Sequence, residues 1–174
     1  MNAKEKRLYE ILLKTAHLPK NLVVHEERNN IAEFIIHSLA APDCFNLTKA
    51  AYFIDNPDFD HFRGVVGHNM EEAYQSDHWD KPDFFSCHMK EKVFNQVVRG
   101  ITLPSMQRNA KDPKSICSEL SYSLGIENPR YISLPVKHGN LGYLLFEPTY
   151  KDSHELLEEH LQLLTHLLAF CPVF

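Results

Sequence analysis

Glycine is scarce in this chain: six occur in 174 residues, and none falls in a GxGxxG or GxxxxGK pattern. Loops that cradle phosphate need glycines at those spacings, so the two common nucleotide-binding loops are excluded. No GxSxG elbow is present either, which removes the usual serine-hydrolase turn. The four cysteines, Cys44, Cys87, Cys117 and Cys171, stand far apart with no CxxC pair. That spacing argues against a zinc knuckle or a dithiol redox motif, and the cysteines read mostly as small buried hydrophobes. No basic run exceeds Lys6-Arg7 and the net charge is −5. A nucleic-acid surface needs clustered Lys and Arg, so none is expected. No apolar stretch approaches the roughly 20 residues of a membrane span. The charged N-terminus lacks the apolar run of a signal peptide. The expectation is a cytoplasmic protein with no membrane partner.

Hydrophobic residues make up 44% of the chain, enough for the core of one domain. Leu8, Ile11 and Leu12 share one face of a helix spanning 4–17, with Pro19 marking its end. Ile31, Phe34, Ile35 and Leu39 set a second helix over 29–41, closed by Pro42. Residues 48–55 and 62–66 read as a strand pair across the turn at Asn56-Pro57. Phe84 to Cys87 reads as a short strand, while Val93 to Val98 fits strand or helix equally. Pro113 suits the first turn of a helix carrying Ile116, Leu120 and Leu124, with Gly125 at its end. Strands at 131–136 and 141–146 flank Gly139-Asn140, residues that tolerate the positive φ of a tight hairpin. An amphipathic helix over 153–170 closes the chain.

Hairpin-linked strands among helices indicate an α+β fold. The sheet is expected to be central and antiparallel, with five or six strands and the N- and C-terminal helices packed on one face. The division expected is an N-terminal helix and linker, 1–27, before a domain over 28–174.

Four segments carry a family resemblance: Phe45–Pro57, Phe62–His68, Leu124–Val136, and Leu141–Phe146 with the final helix. They resemble the GAF domain, a small sensor module of bacterial signalling proteins, including GAF-like modules attached to HDOD signalling domains. The resemblance covers roughly residues 28–170. It implies a non-enzymatic regulatory domain that binds a small ligand or a partner protein. Alternatives on the same fold are a cysteine-based redox enzyme and a structural dimerisation module.

Residues 68–89 hold the one tryptophan, two of the four methionines and several histidines. An apolar wall with a few polar groups is what a small-molecule pocket needs. Tyr74, Trp79, Phe84, Phe85, His88 and Met89 are the candidate ligand-binding residues, with the pocket expected on the sheet face away from the terminal helices. Packing of this segment onto the sheet is the alternative use of the same aromatics. No catalytic set emerges. Cys87 and His88 would point to opposite faces of a strand. A metal site would have to gather His61, His68, His78 and Asp77 or Asp80 from separate segments, so no metal ligands and no cofactor are assigned. Leu156, Leu157, Leu161, Leu164, Leu167 and Leu168 form a wide stripe on the last helix. The stripe suggests a homodimer through the terminal helices, with Leu164 and Leu168 at the interface.

Overall fold

The computed structural model describes residues 2–25, 27–149 and 155–171. Among them the helices are α1 (Ala3–Ala16), α2 (Leu18–Val24), α3 (Ile31–Ala40), α4 (Pro82–Glu91), α5 (Val93–Gly100), α6 (Pro113–Ser123) and α7 (Glu155–Thr165). The strands are β1 (Leu47–Asn56), β2 (His61–Asn69), β3 (Thr102–Leu103), β4 (Arg130–Pro135) and β5 (Leu141–Pro148). They form one five-stranded sheet in the order β3-β2-β1-β5-β4, and every pairing is antiparallel. The α+β class and the adjacency of β4 and β5 are as the sequence implies. No helix among the described residues is long and apolar enough to cross a membrane.

Alternation along β1 explains the layering. Ala50, Tyr52 and Ile54 point into one core with α3, α4 and the end of the chain. Ala51 and Phe53 point into the other, with α5 and α6. Leu161 and Leu168 join the first core, so the C-terminal helix lies on the face that α3 covers.

Local chemistry sets several boundaries differently from the sequence reading. The first helix ends at Ala16, ahead of Pro19 as expected, but Pro19 also starts a second helix. It sits in the first turn of α2, where its missing N–H is no loss. Phe84 to Cys87 is helical rather than extended: Pro82 opens α4, and Phe85 and Met89, four apart, bury on one side. The β4–β5 turn uses positive φ at His138 and Gly139, with Asn140 back in the extended region. The start of the last helix at Ser153 and the side chain of Leu156 lie outside what is described. Leu168 is 0% exposed within the single chain. It is ordinary core here, which removes it from the expected dimer contact.

The side of β2 away from β1 is closed in an unusual way. Only Phe62 and Arg63 pair with β3. Farther along, Gly64 N–H donates to the Ile101 carbonyl and Gly67 N–H to Asn95 Oδ1. A Cβ at Gly64 would come within 1.8 Å of the Val98 carbonyl oxygen, so glycine is what lets α5 lie against the strand.

Candidate functional site

All ten residues of α3 are buried, including three polar ones, Glu33, His37 and Ser38. Buried polar groups require partners, so this helix organises two polar sites. At the first, Glu33 accepts hydrogen bonds from Asn30 Nδ2 (2.7 Å), Asn95 Nδ2 (3.0 Å) and Arg99 Nη1 (3.0 Å). This network ties α3 to α5.

One turn on, the chain after β2 folds back over α3. Ser38 Oγ lies 2.7 Å from His78 Nε2, and Trp79 Nε1 donates to the same oxygen at 3.2 Å. The hydroxyl has one proton and two lone pairs, so it meets both rings whichever way its bond to His78 runs. Trp79 also packs on Phe34, with ring centroids 5.1 Å apart. His37 meets His78 and His68 edge to face, at 4.7 and 5.4 Å. Three imidazoles from α3, β2 and the 73–79 segment thus converge, and each is at least nine-tenths buried.

Burial holds all three neutral. His37 is pushed down to about 2, first by burial and then by the neighbouring His78 and His68. Burial also lowers His68 and His78 to about 4, with Asp77 opposing the shift at His78.

These rings line a cleft of about 840 Å³ between α1–α2, the C-terminal end of α3 and the 73–79 segment. Lys14 on its wall is ion-paired with Asp43. Two of the sequence candidates, Tyr74 and Trp79, line this cleft. The other four do not. Phe85 and Met89 are closed core, Phe84 is 71% exposed, and His88 donates to the Glu72 carbonyl at 2.9 Å. The cleft lies on the side of the terminal helices, not opposite them. Because 82–91 is a helix, its apolar side is spent on α3 and the sheet.

His37 and Ser38 were invisible as site residues in the sequence reading. The available signal was a polar pair inside an otherwise apolar helix. His61 stands at the far end of β2 from His68, and among the described residues no group of His, Cys, Asp or Glu is arranged to hold a metal ion. All four cysteines are free. Burial pushes Cys44 and Cys171 up to about 12 and Cys117 to about 11, so these three are thiols rather than thiolates at neutral pH. Cys87 is exposed on α4, one residue from His88 on a helix rather than a strand.

The sequence matches no family model and no curated protein. A solved structure described as SdiA in complex with octanoyl-rac-glycerol is similar at 14% identity and a TM-score of 0.30. The similarity covers 98% of this chain, which spans 57% of that one. At that level the likeness bears on neither ligand nor activity.

Proposed function

We propose that the chain is a GAF-like regulatory domain of a signalling system that binds a small molecule in the histidine-lined cleft. The observation that carries this reading is the cleft itself. Its volume of about 840 Å³ falls within the range of small-molecule sites. It pairs aromatic walls, Tyr74 and Trp79, with a few buried polar groups on its floor. The cysteine-enzyme alternative gains nothing from three buried, protonated thiols. In the dimer that this reading includes, contact through the outer faces of the terminal helices falls to Leu12, Leu13 and Leu163, which are exposed.

The test is a thermal-shift screen of cellular metabolites, with native mass spectrometry of the purified chain. A ligand should raise Tm or appear as a bound mass. Ala41→Trp, which fills the cleft, should abolish the effect while the far-ultraviolet circular dichroism stays the same. A wild-type chain with no bound mass and no Tm shift across the screen would remove the reading.

A further inference from the structure

We propose that the cleft's ligand is uncharged and gives a hydrogen-bond donor to the His37–His68 pair; this rests on the small-molecule reading above. Three histidines, His37, His68 and His78, line the inner end of the cleft with His88 behind them, and they differ in one respect. His78 is satisfied by Ser38, and His88 by the Glu72 carbonyl. His37 and His68 keep open ring nitrogens, although the Tyr74 backbone hydrogen-bonds the His37 ring. His37 Nδ1 is buried without a partner. The His68 ring takes part in no hydrogen bond among the described residues, and burial alone perturbs it.

The two rings come from different elements, α3 and β2. Their centroids lie 5.4 Å apart, they are 6% and 4% exposed, and both line the cleft. A neutral imidazole has one N–H and one free lone pair. The Tyr74 backbone favours the proton on the other nitrogen of His37, so Nδ1 carries the lone pair that protein groups leave unfilled, and His68 adds a second open lone pair beside it. A buried polar atom without a partner is a standing cost that a ligand O–H or N–H relieves.

Charge on the ligand has no counterpart at the imidazoles: Lys20 and Asp77, which also line the cleft, are exposed on its solvent side. Lys14 is committed to Asp43, and Asp77 Oδ1 accepts from the Trp79 backbone N–H. A charged group carried down to the imidazoles would lose water and gain no opposite charge. The flanking Tyr74 and Trp79 favour a ring beside the donor.

The probes are phenol and anisole, which share a ring but differ in the O–H. Each is titrated into the wild-type chain, following the fluorescence of Trp79 and the ¹⁵N shifts of the His37 and His68 rings. Phenol should bind saturably and about 10-fold more tightly than anisole. Benzoate and benzylammonium should bind no more tightly than anisole. In His37→Phe and His68→Phe the preference for phenol should shrink towards equality. Equal binding of phenol and anisole in the wild type overturns the inference and leaves the small-molecule reading standing. Tightest binding by either charged ring overturns it too, as does the lack of saturation by phenol up to about 10 mM. Failure of the metabolite screen, by contrast, removes the underlying reading.

Discussion

Two buried polar sites lie one helical turn apart on α3, and they are built to opposite ends. Around Glu33, carboxylate and donors are matched, and both hydrogens of the Asn95 amide are placed, one on Glu33 and one on the Met89 carbonyl. Around His37, the rings touch but the hydrogen bonding is incomplete. The same helix and the same depth give a closed network at one site and an open one at the other. Burial alone therefore does not mark a functional group. A buried group left wanting beside a cleft does, because only there can something else complete it.

The largest expected effect comes from acid, and it falls on the histidine site. His37, His68 and His78 have folded values below the ordinary 6.5, so the unfolded chain binds more protons once the pH falls below that value. Their contribution to stability is present above pH 6.5 and declines as the pH drops towards about 4, where His68 and His78 take up protons. The slope is about 1.4 kcal/mol per pH unit for each histidine. Urea unfolding between pH 6.5 and 5, above most carboxylate titration, should show this fall. A flat profile there would mean the rings are not buried neutral.

Next in size is Glu33→Ala. It strands Asn30, Asn95 and Arg99 donors, and should cost about 2–4 kcal/mol, the lower part of the range reflecting the half-exposed arginine. Denaturant unfolding at pH 7 measures it, and a loss below about 1 kcal/mol would break the contrast with the histidine site. The smallest effect is His37→Phe at pH 7. Replacing a ring whose Nδ1 has no partner with an apolar one of similar shape should change stability by no more than about 1 kcal/mol. A loss as large as that of Glu33→Ala would show that His37 holds the structure rather than serving the cleft.

The difference between the two sites also explains what the sequence could and could not reveal. Elements with strong periodicity and clear punctuation were legible. The β4–β5 pair shows it through its apolar runs around Gly139-Asn140, though the turn itself is one residue earlier, and α6 through Asp112-Pro113 and Gly125. The 84–87 run was not, because four residues do not distinguish strand from helix. Pro82 was the better guide, as a first-turn proline. Tyr74 and Trp79 were legible as aromatics in a polar stretch. His37 and His68 lie 31 positions apart, and their meeting depends on how α3 crosses β2, which local pattern does not encode. The Leu stripe is legible as apolar but not what covers it: Leu161 and Leu168 meet the chain's own core.

The Asn95 side chain has a second consequence, for how the molecule behaves in company. β3 supplies only two residues to the border of the sheet, so most of β2 would otherwise present free amides to any passing strand. Asn95 Oδ1 occupies the amide of Gly67, and the Ile101 carbonyl occupies that of Gly64. A side chain and one turn of backbone thus stand in for the missing length of strand. The amide that binds two helices together is also what keeps this border from serving as a template for sheet extension between molecules.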